Sequence, residues 1–234
     1  MKINDIITGM KRTKLKNRKL PDYTKGEEIF NMVTHIVGGA LGIAAIPLCV
    51  IKAAFDSDVY GIVSGAIFGF TMLVLYCMSS IYHGLSPKLT AKKVFQIIDH
   101  CTIFILIAGT YTPFCLCTIR SFSKITGWVI FGAIWAAAAL GSTLNAIDLK
   151  KYKVFSMICY LAMGWCIISV ISPTVKALTF TGAMWLLAGG IFYTIGAILY
   201  GIGAKKRYFH SIFHIFCVFG SIAHLICILF YVLV

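Results

Sequence analysis

The chain has 234 residues, of which 59% are hydrophobic and only 12% charged, and its mean hydropathy is +0.90. A soluble domain carries roughly a quarter charged residues, so this chain has too little polar surface to face water and must be solvated by lipid. Its net charge of +13 is divided among short segments flanking apolar stretches, which argues for membrane topology and against nucleic-acid binding.

Residues 1–26 are a polar, basic lead-in, expected as a cytoplasmic tail. They hold no apolar core of the signal-peptide kind, so the first span is expected to act as an uncleaved signal. Seven apolar segments follow, near Ile29–Phe55, Val59–Tyr82, Phe95–Cys117, Ile125–Ile147, Val154–Ile171, Ala177–Gly201 and Phe209–Val234. They run about 20 residues without period-2 alternation, which selects helices over barrel strands. The connections are short. Residues 27–234 therefore read as one all-α domain, a bundle of seven transmembrane helices. Gly38 and Gly42 on the first span, and Gly61, Gly65 and Gly69 on the second, recur every fourth residue, a spacing that lets helices approach closely. Pro47 and Pro113 lie within spans, where a local kink is tolerated. The nine cysteines all fall in apolar stretches without a disulfide or metal spacing and read as small packing residues.

Basic residues orient the bundle. The tail carries Lys2, Lys11, Arg12, Lys14, Lys16, Arg18, Lys19 and Lys25. Loops on its side add Lys88, Lys92 and Lys93, then Lys150, Lys151 and Lys153, then Lys205, Lys206 and Arg207. The opposite loops hold Lys52, Arg120, Lys124 and Lys176. Seventeen against four predicts a cytoplasmic N-terminus and an outside C-terminus, and with them an odd number of helices.

With that orientation, the histidines gather in one layer. The first span enters through Glu28, Asn31 and His35, the second ends with Ser79 and His83, and the third starts with Asp99 and His100. The seventh starts with His210 and His214. His210 and His214 share a helix face at i, i+4, which suits two nitrogens converging on one metal ion. Ser79 with His83 and Asn31 with His35 repeat that interval. Each residue singly has an ordinary reading, as an interfacial anchor or, for Glu28 and Asp99, as a charge at a helix start. A shared layer on four spans favours a site, because ionisable groups in spans turn toward the bundle interior. His100, turned about 100° from Asp99, stays open between the two readings. His224 lies roughly 15 Å beyond His214 along the helix and reads as a buried hydrogen-bonding residue.

The segments Glu28-Ile-Phe-Asn31 leading to His35, Ser79-Ser-Ile-Tyr-His83, Ile98-Asp99-His100, Ala108-Gly-Thr-Tyr-Thr-Pro113, Tyr160-Leu-Ala-Met-Gly-Trp165, Trp185-Leu-Leu-Ala-Gly-Gly190 and His210-Ser-Ile-Phe-His214, in this order, resemble the hemolysin III proteins. These are the bacterial branch of the progestin and adipoQ receptor family, and the resemblance covers residues 27 to 234. It implies a seven-helix fold in the cell membrane with zinc near the cytoplasmic face. The ligands it implies are His83, His210 and His214, with Asp99 reaching the metal through a water. The family is also similar to alkaline ceramidases, which hydrolyse lipid amides.

Three imidazoles and a water make an open zinc site of the catalytic kind. Zinc lowers the pKa of its water toward roughly 7. Asp99 is then expected to accept that proton and return it to a leaving group, and Ser79 to hydrogen-bond the water or an oxyanion. Glu28, Asn31 and His35 are expected to support the metal-binding histidines from the first span. The reading is a lipid amide or ester hydrolase of the cytoplasmic leaflet, with membrane lipids as partners and no obligate protein partner evident. The alternative is a non-enzymatic membrane protein: a receptor-like sensor, a regulator of bilayer properties, or a channel-forming cytolysin. A wide pore is disfavoured by the apolar outer half of the last span, where only Ser221 and His224 interrupt Ile215 to Val234.

Overall fold

In the computed structural model, residues 13–203 and 206–234 are described. The tail residues Lys2, Lys11 and Arg12, and Lys205 of the last basic loop, lie outside the described residues. The described chain is all-helical. Its longer helices are α1 Lys25–Asp56, α2 Val59–Gly84, α3 Thr90–Pro113, α4 Lys124–Asp148, α5 Lys153–Trp165, α6 Ile171–Gly203 and α7 Phe209–Cys227, and a single turn, Arg120–Phe122, precedes α4. A 3-10 turn, Leu15–Asn17, precedes α1. π-helical turns extend α3 over Phe114–Ile119 and α7 over Ile228–Val232.

Polar side chains at the start of several helices satisfy backbone N–H groups that have no partner within the helix. The Thr24 hydroxyl accepts from Glu27 N–H while the Glu27 carboxylate accepts from Thr24 N–H, a capping box that starts α1. The Asp58 carboxylate accepts from the N–H groups of Tyr60 and Gly61 at the start of α2. The Ser123 hydroxyl does the same for Thr126 on α4.

Among the described residues, six helical stretches are long and apolar enough to cross a membrane. One of them, Lys153–Gly203, has 51 residues. As a straight helix it would extend about 76 Å, more than twice the roughly 30 Å hydrocarbon core. It is not straight. A 3-10 segment, Cys166–Val170, interrupts it, and Thr179 takes a left-handed φ of 61°. Trp165 Nε1 donates to Thr194 Oγ1 at 3.0 Å, and Lys153 Nζ lies 5.2 Å from the Tyr200 ring centroid. The two limbs on either side of Thr179 therefore run antiparallel. Where the sequence predicts separate spans over Val154–Ile171 and Ala177–Gly201, the break falls two residues inside the second. The third span likewise begins earlier and ends later than expected, because α3 starts at Thr90 and its π-helical extension reaches Ile119.

α3 is the most enclosed helix, packed against α2, α4 and α5, and large apolar side chains such as Ile43, Phe55, Ile125 and Phe180 point outward. That outward apolar belt is what a lipid-facing surface requires. α1 and α2 lie in close contact through their glycines. A Cβ on Gly42 would stand 2.7 Å from the backbone of Leu73, and one on Gly69 would stand 2.8 Å from the backbone N of Ile46. On the face where the chain begins, this packing sets Glu28, Asn31 and His35 of α1 against the end of α2 and the start of α7.

Candidate metal centre

Three buried imidazoles, His83 at the end of α2 and His210 and His214 at the start of α7, bring ring nitrogens within 4.8 Å of one another. Among the described residues this is the one such group of potential ligands, and it contains no carboxylate. The hydrogen bonds around it dictate the tautomers. Glu28 Oε2 lies 2.6 Å from His83 Nδ1, and a carboxylate only accepts, so Nδ1 carries the proton. His83 Nε2 is then a lone pair, buried and without a hydrogen-bond partner. His214 Nδ1 donates to the Asn31 carbonyl at 3.3 Å, leaving its Nε2 as a second lone pair. That Nε2 stands 3.1 Å from Nε2 of His210. Two nitrogens bound to one tetrahedral zinc at 2.0–2.1 Å would be about 3.3 Å apart, so the spacing suits a shared cation. The donor set and the orphaned His83 nitrogen fit a zinc ion.

The residues of α1 surround this group. Glu28 also pairs with Lys92, its Oε1 2.8 Å from Nζ. Asn31 Nδ2 is 3.4 Å from His83 Nδ1, and its side-chain oxygen is buried without a partner. The His35 ring stacks on His214 with centroids 3.7 Å apart and planes 12° from parallel, and both its nitrogens are buried and unpartnered.

Behind the imidazoles lies a cavity of about 160 Å³ lined mostly by apolar side chains. Ser79, Asp99, His35, His210 and His214 border it near the centre, while Thr110, Tyr193 and His224 border it deeper in the bundle. The Ser79 hydroxyl is buried and lacks a partner. Asp99 is largely buried, and one of its carboxylate oxygens stands 3.7 Å from His100 Nδ1. His100 itself is committed elsewhere. Its Nδ1 donates to the Gln96 carbonyl at 2.9 Å, and its Nε2 lies 3.1 Å from the Tyr200 hydroxyl. His224 Nε2 donates to the Leu186 carbonyl at 3.2 Å, matching its reading as a buried hydrogen-bonding residue.

Three residues near the centre were not singled out from sequence. Tyr23, just before α1, stacks on His210 with centroids 5.0 Å apart and planes 22° from parallel. Burial pushes its phenol well above the ordinary value, with Tyr200, Glu28 and Asp99 adding in the same direction, so it stays protonated. Lys92, counted above as a loop cation, is 1% exposed and donates to the carbonyls of Tyr82, His83 and Leu85. Nothing in its local sequence distinguishes it from its neighbour Lys93. Ser211 has a buried, unpartnered hydroxyl one residue after His210, a position its place in the His210–His214 segment could have suggested.

A profile of the family described as Haemolysin-III related matches residues 23–225. Hemolysin-3 of Bacillus cereus is 39% identical over 208 residues, covering 88% of this chain and 92% of that protein. The Hemolysin-3 homolog of Bacillus subtilis (strain 168) is 38% identical over 209 residues, covering 89% and 96%. More distantly, the monocyte to macrophage differentiation factor of Homo sapiens is 25% identical over 199 residues, covering 83% and 77%.

Proposed function

This chain belongs to the haemolysin-III related family as a multi-pass protein of the cell membrane, and from that premise we propose that it is a zinc-dependent hydrolase cutting an amide or ester bond of a membrane lipid at the cytoplasmic leaflet. The observation that carries this reading is the cluster of three buried imidazoles at the head of an apolar cavity. A structural zinc site fills its coordination with protein, whereas three ligands leave a position open for chemistry. The topology belongs to the same proposal. Counting the two limbs of Lys153–Gly203 separately makes seven crossings, and the basic residues favour a cytoplasmic N-terminus and an outside C-terminus.

His83, His210 and His214 would hold the ion. When bound, zinc supplies Lewis-acid activation of a water and of the lipid carbonyl. Asp99 takes the proton from the attacking water on a carboxylate oxygen and returns it to the departing amine nitrogen or alcohol oxygen as the C–N or C–O bond breaks. The Ser79 hydroxyl donates to the carbonyl oxygen as negative charge develops there. Glu28 and the Asn31 carbonyl hold His83 and His214 with Nδ1 protonated, which would leave each Nε2 free to hold the ion. Tyr23 covers His210 and limits water from the cytoplasmic side.

The test follows metal and products together. Purified protein in micelles is expected to hold about one zinc per chain by elemental mass spectrometry and to release fatty acid from an N-acyl or ester lipid. His210→Ala should lose most of both. A wild-type protein that holds its zinc yet releases no fatty acid from any lipid offered would remove the hydrolase and leave a non-enzymatic membrane protein.

A further inference from the structure

The apolar cavity has a neighbour on the other side of His210. On the face where the chain begins lies a wider basin of about 760 Å³, and both are bordered by His100, Leu149, Lys153, Tyr200 and His210. Residues before α1 form one wall of the basin. They are held down by Thr13 N–H donating to Asp148 at 2.8 Å and Lys93 Nζ donating to the Lys16 carbonyl at 3.1 Å.

The basin is strongly cationic. Arg18, Lys19, Lys150, Lys153, Lys206 and Arg207 line it, against the carboxylates of Asp22 and Glu27. Glu27 is already matched, accepting from Thr24, from Tyr208 N–H at 2.7 Å and from Arg207 at 3.2 Å. Basic residues on this face are expected from topology alone, so their number by itself marks no site. What topology does not require is their gathering around a concavity that shares five lining residues with an apolar cavity. Lys153 makes the point, because its Nζ lies 5.2 Å from the Tyr200 ring, and Tyr200 hydrogen-bonds His100 at the same boundary. The cation is thereby kept at the cavity mouth. Asp99 lies on the cavity side of that boundary and would repel an anion pushed further in.

We propose that the basin binds the anionic headgroup of an amphiphile whose apolar chain occupies the cavity behind His210. The headgroup chemistry is an oxyanion, phosphate above all, which Arg and Lys bind by charge-assisted hydrogen bonds. A free phosphate would satisfy the basin alone, but only a lipid also fills the cavity beside it. The inference rests on the lipid-hydrolase reading and names its substrate class, a lipid with a negatively charged head.

The test is a binding measurement that does not depend on turnover. Full-length protein in micelles is titrated with dioleoyl phosphatidic acid, dioleoyl phosphatidylcholine or inorganic phosphate, and retained ligand is read by native mass spectrometry. The two lipids carry the same chains, so any difference between them lies in the headgroup. Phosphatidic acid is expected to be retained over phosphatidylcholine by roughly tenfold or more. Lys150→Gln with Lys153→Gln should lower its retention by about 30-fold, at the rough worth of each interfacial lysine. Lys14→Gln with Lys88→Gln removes the same charge from the same face outside the basin and should leave retention unchanged. Inorganic phosphate should compete only weakly. Equal loss in both variant pairs would reduce the effect to surface attraction and overturn the proposal. So would an absent headgroup preference, or phosphate that displaces the lipid as well as another lipid does. Should the basin pair fold poorly, Lys150→Gln alone supplies the comparison, since that side chain is exposed. Product ions in the same spectra separate the two readings. Cleavage without headgroup preference overturns this inference alone, and preference without cleavage overturns only the hydrolase.

Discussion

Replacing Glu28 with Gln probes the metal centre through a residue outside the ligand set. Glu28 Oε2 accepts from His83 Nδ1 at 2.6 Å, while Oε1 faces Lys92 Nζ at 2.8 Å. Gln keeps the size and one acceptor but removes the negative charge that makes the His83 ring a better donor to a cation. Loss of an outer partner of a metal-bound histidine weakens metal binding by about 10- to 100-fold. The conservative Gln belongs near tenfold, and Glu28→Ala, which removes the acceptor as well, near a hundredfold. A separate loss arises at Lys92, whose side chain is 1% exposed and would lose its carboxylate partner. Removing one partner of a buried pair costs about 3–5 kcal/mol. Here the lower end applies, about 3 kcal/mol, because Glu28 is 15% exposed and three backbone carbonyls at 2.9–3.3 Å still surround the ammonium. Competition titration of zinc against a fluorescent chelator reads the first effect, and thermal unfolding at saturating zinc reads the second. Reduced stability with unchanged zinc affinity would refute the reasoning, making Glu28 a counter-ion for Lys92 and no support for His83.

Asp99→Asn should leave zinc content intact while abolishing release of fatty acid, because Asp99 lies outside the three-nitrogen group. Loss of zinc equal to that in His83→Ala, measured by elemental mass spectrometry, would instead make it a ligand. Gly42→Val should destabilise the bundle by about 1–3 kcal/mol, since even its Cβ would meet the Leu73 backbone at 2.7 Å and force α1 from α2. An unchanged thermal midpoint would show that the two helices separate at little cost. For the topology, an alkaline phosphatase fused to the C-terminus should be active and a cytoplasmic-type reporter there inactive. The reverse pattern would invert the assignment.

Much of this protein is determined locally along the chain. Stretches such as Val59–Gly84 have no charged residue to oppose burial in lipid, and lipid leaves an isolated segment no backbone solution but a helix. The i, i+4 spacing of His210 and His214 likewise follows from helical geometry wherever the helix sits, and the glycine stripes of α1 and α2 announce a close approach without saying which backbones meet. Residue spacing is silent on relations between helices. That Glu28 reaches His83 across 55 positions, that His35 lies flat on His214, and that Lys92 is drawn in to bind Glu28 while Lys93 stays outside all depend on how α1, α2, α3 and α7 pack. The same holds for Thr179, an ordinary residue by type whose left-handed backbone accompanies the reversal of a 51-residue apolar run. Tyr23 closes over His210 because the capping box at Thr24 directs the preceding chain across the end of the bundle. Hydropathy and period are properties of single segments, whereas a metal centre and the cavity behind it are made of distances between segments, and only the packed structure contains those.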